Sequence, residues 1–200
     1  MKNHLFLAFS MLLIYSCSEG IEVSQSSTVD AAVKSTSFAR DPFESNYKPL
    51  ASERTVIKSV NLYDGLGNEF SNFDVLFDNG IIEEIGKDIV DGNATIIDAK
   101  GKWLTPGIID IHSHMGVYPA PGVRTSSDGN EATSPITAEV WAEHSVWTQD
   151  PQFSLALKGG VTAFHVLPGS ANLMGGRGAT FKNIPRNTIH DMKFPGAPHS

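Results

Sequence analysis

Thr105-Pro-Gly-Ile-Ile-Asp-Ile-His-Ser-His-Met-Gly116 is the stretch on which the fold turns. Ile108, Ile109 and Ile111 are β-branched and fit a strand. On a strand, side chains two apart share a face. Asp110, His112 and His114 are therefore expected on one face, with Ile109 and Ile111 on the other. Two imidazoles about 7 Å apart along a strand can converge on one cation. Neutral imidazole nitrogen is a good zinc ligand at about 2.0–2.1 Å. A His-x-His pair taken alone is more often a polar or packed strand face. Here Pro106-Gly107 precedes a strand of buried character and Met115-Gly116 leads into a Pro- and Gly-rich loop, the setting of a site rather than of a plain strand.

Working back from that strand, 54–105 reads as a series of short strands. Val56, Val60 and Leu62 stop at Asp64-Gly65, and Phe73, Val75 and Phe77 alternate with polar residues. Asn79-Gly80 is the signature of a type I′ hairpin turn into Ile81–Ile85, and Ala94–Asp98 is a further strand. Asp74, Asp78, Glu83 and Glu84 are expected on a solvated face.

Working forward, residues 118–135 form a long loop rich in Pro and Gly, with Asp128–Glu131 as a turn. Glu139–Trp147 is spaced for a helix, with His144 packed rather than ligating. Asp150-Pro151 is a helix start, an acidic N-cap followed by proline at N1, and Gly159-Gly160 is its stop. Val161–Leu167 follows as a second buried strand, whose His165 is read as structural with metal contact as the alternative. Strand, crossover helix and strand make one βαβ step and imply a parallel sheet. Pro168–Gly178 then leaves the C-terminal end of that strand. Gly175, Gly176 and Gly178 allow close backbone approach. Arg177 suits a bidentate pair with a substrate carboxylate, or else an exposed place in a tight turn. The loop lacks the Gly-x4-Gly-Lys-Ser/Thr of a phosphate-binding P-loop. Ala179–Asn183 returns as a strand-like run.

The N-terminus has a different character. Lys2 is followed by the apolar run Leu5–Tyr15, far short of the about 20 residues a helix needs to span a bilayer. A positive start, a short apolar core and small residues before a break describe a secretory signal peptide. Ile14-Tyr-Ser-Cys17 resembles the bacterial lipoprotein cleavage box, which implies lipidation at Cys17, the only cysteine in the chain. That implies an exported protein of the bacterial cell envelope, anchored to the membrane. Residues 17–53 are polar and aperiodic and read as a disordered tether.

Pro106-Gly107-Ile108-Ile109-Asp110-Ile111-His112-Ser113-His114 resembles the Pro-Gly-x-x-Asp-x-His-x-His signature of the amidohydrolase superfamily of metal-dependent hydrolases. The likeness extends over roughly 54–105 and 137–183 and is closest to the branch of imidazolonepropionase-like hydrolases. It implies an α/β fold: the opening strands of a TIM (β/α)8 barrel in 106–200, preceded by a small, partial β-sandwich in 54–105. Such a barrel takes about 250 residues, so the chain reads as the N-terminal part of a longer protein and as inactive by itself. The resemblance further implies one or two divalent metals, zinc foremost, on His112 and His114, with Asp110 orienting a ligand histidine. The remaining ligands and the general base would come from later strands. The implied reaction is hydrolysis of a non-peptide C–N bond in a small-molecule amide, often cyclic. A dipeptidase-like enzyme and a non-catalytic binding module on the same barrel are the alternatives. A net charge of −7 with no basic patch argues against nucleic acid. Assembly into a homo-oligomer is compatible with this reading.

Overall fold

The computed structural model describes residues 41–197. The signal segment, Cys17 and most of the expected tether lie outside the described residues.

Five strands form the first sheet: β1 (Thr55–Tyr63), β2 (Glu69–Asp78), β3 (Ile81–Gly86), β4 (Thr95–Asp98) and β5 (Trp103–Leu104). Their order is β3-β2-β1-β4, with β5 also on β1. β1–β2 and β2–β3 are antiparallel, whereas β4 and β5 run parallel to β1. Asn79 and Gly80 both have positive φ, as the expected hairpin turn requires. Val56, Val60, Leu62, Val75 and Leu76 are buried between the strands and the loops that follow them.

Asp74 departs from the solvated face expected of it and is buried. Its carboxylate accepts from the Lys58 ammonium and from the backbone N–H groups of Ser59 and Ile89. Ser59 sits at a β-bulge with positive φ, which turns its N–H out of the ladder and toward Asp74. Burial pushes the Asp74 carboxyl up, but these hydrogen bonds outweigh it and hold the group below its usual value. Asp78 and Glu83 instead meet the Arg54 guanidinium.

The second sheet has order β6-β7-β8: β6 (Ile108–Ser113), β7 (Val161–Val166) and β8 (Ala179–Lys182). β6 and β7 are parallel and joined through α1 (Pro151–Lys158), the expected βαβ step. β8 returns antiparallel to β7, so only the first two strands form a parallel pair. Phe153 of α1, Phe164 of β7 and Phe181 of β8 stack in series, with centroids 5.2 and 5.7 Å apart. Around them Val117, Val146, Val166 and Met192 complete one core. The Asn183 amide donates to the carbonyls of Phe153 and Val161 and ties helix to sheet. Ile109 and Ile111 on β6 remain 63% and 78% exposed.

The helix expected over Glu139–Trp147 is replaced by a single 3-10 turn, Ala142–Ser145. Its backbone is engaged elsewhere: Arg177 N–H donates to the Val140 carbonyl, and Ala142 N–H donates to the Arg177 carbonyl. These long-range bonds take groups that a helix would pair internally. Gly176, at φ 119°, lies against Val140, the close approach anticipated for that loop. The turn buries Glu143, which forms an ion pair with the buried Lys193 just past α2 (Ile189–Met192). The Lys193 ammonium also meets the Asp41 carboxylate at 2.8 Å and the Phe43 carbonyl at 2.6 Å. Within the stretch read as tether, Asp41–Tyr47 is thus fastened along α2. The His144 ring packs edge-on against Phe43.

Candidate active site

The parallel pairing of β6 with β7 brings both strands' C-terminal ends to one side, where their loops meet. Pairing passes from Asp110↔Phe164 to Ser113↔Val166, so β6 carries one extra residue in a bulge that contains His112. The His112 N–H, displaced from the ladder, donates to Asp110 Oδ1 at 3.1 Å. The bulge also breaks the alternation. Ser113, which alternation would put with Ile109 and Ile111, is only 5% exposed. His114 lies just past the strand, at the start of the loop.

The two imidazoles still come together. Their ring centroids are 5.3 Å apart with planes at 88°. Two imidazoles on one tetrahedral ion, each nitrogen about 2.0–2.1 Å from it, put their ring centres about 5 Å apart. The ring separation matches that spacing. Among the described residues no third His, Cys, Asp or Glu joins them to make a fuller ligand set.

His114 is oriented by a group with no side-chain signature in the sequence. Leu167 N–H donates to the Ser113 carbonyl, extending the β6–β7 pairing by one step. The next group along, the Leu167 carbonyl, then lies 2.9 Å from His114 Nδ1. A carbonyl oxygen only accepts, so this contact calls for the proton on Nδ1, and in the neutral ring Nε2 then has the lone pair. That tautomer leaves Nε2 as the nitrogen able to bind a metal. Asp110, expected to orient a ligand histidine, serves the His112 backbone through the contact described above.

The loop after His114 is held from α1. The N–H groups of Val117 and Tyr118 donate to the His114 carbonyl. Asp150, the N-cap of α1, accepts from Gln152 N–H and also from Gly116 N–H at 2.8 Å and Ala120 N–H at 3.3 Å. The Gln152 amide donates to the Tyr118 carbonyl. The cap was legible in the sequence; its second task was not.

The remaining candidates have other neighbours. The Arg177 guanidinium lies 4.8 Å over the Trp141 ring, a cation–π contact beside the Trp141–Arg177 backbone bridge. His165 Nδ1 is 2.9 Å from the Thr180 hydroxyl on β8, which fits the structural role expected of it. Between the two loops lies a cavity of about 170 Å³, lined among others by Val117, Asp128, Asn130, Glu131 and Pro168. Its polar rim is acidic and amide in character. Hydrogen bonds from Thr133 hold the Glu131 carboxyl below its usual value.

Comparison with known proteins agrees with the motif. The chain is 40% identical over 114 residues to the amidohydrolase tasK of Hapsidospora irregularis, covering 55% of this chain and 12% of that protein. It is 37% identical over 81 residues to a dihydroorotase of Thermoanaerobacter sp. (strain X514), covering 40% of this chain and 19% of that enzyme. The crystal structure of an amidohydrolase from Thermotoga maritima superposes with a TM-score of 0.65 at 37% identity, over 71% of this chain and 37% of that one. No family model matches the chain. It spans well under half the length of each of these relatives.

Proposed function

From the premise that this chain belongs to the amidohydrolase superfamily, where these relatives and the Thermotoga structure put it, we propose that it is part of a metal-dependent hydrolase. The bond cleaved is a non-peptide C–N bond of a small amide, cyclic by preference, as the imidazolonepropionase-like resemblance and the dihydroorotase likeness both suggest. The observation that carries this reading is the histidine pair, 5.3 Å between ring centres, with His114 Nδ1 2.9 Å from the Leu167 carbonyl and Nε2 on the opposite side of the ring.

In this reading β6, α1 and β7 are the first unit of a (β/α)8 barrel, and the five-stranded sheet is part of the small β-sandwich before it. His112 and His114 hold a divalent metal, zinc foremost. Such an ion supplies nucleophilic water at neutral pH and polarises the scissile carbonyl. The chain's own residues do the rest of what is visible here. The β6 bulge sets His112 near His114, the Leu167 carbonyl keeps the proton of His114 on Nδ1, and Asp150 holds the loop behind it. No general base and no further ligand is assigned among the described residues.

The test is the full-length protein, assayed with its metal content measured against dihydroorotate-like and hydantoin-like cyclic amides and against dipeptides. Metal-dependent opening of a cyclic amide is the expected result. Turnover of dipeptides alone would replace this reading with the dipeptidase one, and metal-free protein without turnover on any of them would leave a binding module.

Export and membrane anchoring through Cys17 are a second part of the proposal, supported by the Lys2–Cys17 segment alone. Cys17→Ser should move the protein from the membrane fraction to a soluble or unprocessed form. Identical fractionation and mass of wild type and variant would reject the anchor.

A further inference from the structure

We propose that Tyr118 is a positioning residue that holds the His114 imidazole in place and couples it to the Pro168–Gly178 loop; the inference rests on reading His112 and His114 as metal ligands. The Tyr118 ring meets the His114 ring edge-on, with centroids 5.7 Å apart and planes at 83°. Tyr118 is held through its backbone and through its hydroxyl. Its backbone N–H donates to the His114 carbonyl at 3.0 Å, and its carbonyl accepts from the Gln152 amide at 2.8 Å. Its hydroxyl accepts from Asn130 Nδ2, and Asn130 Oδ1 in turn accepts from Ala171 N–H at 3.2 Å.

The seat for this ring is made of two glycines from different loops. A Cβ at Gly129 or at Gly169 would overlap the Tyr118 ring or its hydroxyl, and the two backbones are joined by Gly169 N–H donating to the Gly129 carbonyl at 2.7 Å. Gly169 lies two residues past Leu167, whose carbonyl receives His114 Nδ1. The same short segment thus grips the far end of Tyr118 and the proton of His114. If the ring were lost, the imidazole would have one wall fewer and could turn off the carbonyl. The single tautomer that presents Nε2 would then be diluted by the other. A tyrosine that merely filled space would leave the tautomer untouched.

The experiment uses the full-length protein, stripped of metal, with histidine labelled by 15N. NMR of the imidazole nitrogens reports which one carries the proton, and chelator competition with Zn2+ reports affinity. Wild type is expected to show His114 protonated at Nδ1. Tyr118→Leu should give a mixture of tautomers and about tenfold weaker zinc binding, the lower end of what partners of a ligand histidine are worth. Tyr118→Phe keeps the ring and should keep the tautomer, at a cost of about threefold for one neutral hydrogen bond. Gly169→Ala should follow Tyr118→Leu, because its Cβ would meet the Tyr118 hydroxyl and the Asn130 amide and push the ring from its seat without altering His114 or Tyr118. Should Tyr118→Leu fail to fold, Tyr118→Phe and Gly169→Ala decide the matter. Folded Tyr118→Leu and Gly169→Ala proteins with the wild-type tautomer and zinc affinity would overturn the proposal. Wild type that binds zinc no better than His112→Ala/His114→Ala would instead remove the proposed function, and the tautomer comparison alone would then judge Tyr118.

Discussion

His112 and His114 differ in how firmly they are held. His114 has a carbonyl on Nδ1 and an aromatic edge beside it, whereas the described contacts of His112 are its neighbour's ring and the backbone bond to Asp110. Replacing either histidine by alanine in the full-length protein should remove metal and turnover together, since an ion held by fewer ligands is lost. Asp110→Asn keeps an oxygen able to accept from the His112 N–H, so it should lower metal affinity far less, by less than about tenfold. Metal content per folded molecule, measured for the three variants side by side, checks the order. Asp74 gives a different prediction. Its folded pKa lies below the unfolded value of about 3.9. The stability it contributes is therefore fully present above that value and is lost as pH falls through the folded pKa. Asp74→Asn should be less stable at neutral pH, and the gap to wild type should close as the medium is acidified below about pH 4. A gap that stayed constant between pH 7 and pH 3 in urea melts would contradict the assignment.

Among the elements, α1 does more than cross from β6 to β7. Its N-cap carboxylate organises the loop that carries Gly116–Ala120, and Gly116 is pressed against Val146 and Phe153 at a positive φ. Asp150→Ala removes the cap, worth about 1 kcal/mol. It also strips a buried N–H at Gly116 of its acceptor, at about 1–3 kcal/mol more. A loss of about 2–4 kcal/mol in chemical denaturation is expected, with Asp150→Asn retaining most of the stability because an amide oxygen still caps. Equal losses for the two variants would mean that charge, not hydrogen bonding, holds the loop. The 139–147 segment shows the opposite relation between pattern and outcome. Its apolar spacing suits a helix, yet the pairing of Val140 and Ala142 with Arg177 wins, with Ala142 and Glu143 buried at a place where unpaired backbone is costly. Helical spacing is weak evidence where a loop rich in glycine can approach closely enough to compete.

At the scale of the whole molecule, apolar surface is the main signal. Ile109 and Ile111 on β6 and Ile96 and Ile97 on β4 are exposed, as are Ile81, Ile82 and Ile85 on β3. Contiguous apolar strands of this kind are cover-seeking surfaces. Residues 54–200 produced alone should associate or melt with poor cooperativity, read by light scattering and circular dichroism. A sharp two-state melt of a monomer would show that these strands need no further cover. The sequence by itself determined the local features: the strand leading into the two histidines, the Asn79-Gly80 turn, the capped start of α1 and the βαβ step, though not the bulge at His112 that puts His114 past the strand end. The turn, the cap and each strand follow from residues close together in the chain, where periodicity and capping chemistry operate, and the βαβ step follows from their order. Only the tertiary structure decided that Asp74 is buried, that Lys193 is enclosed by Glu143 and Asp41, and that β8 returns antiparallel. It alone also chose the partner of His114, a backbone carbonyl 53 residues away. Every residue has a carbonyl, so no residue type marks the one that a parallel strand register will carry to the imidazole.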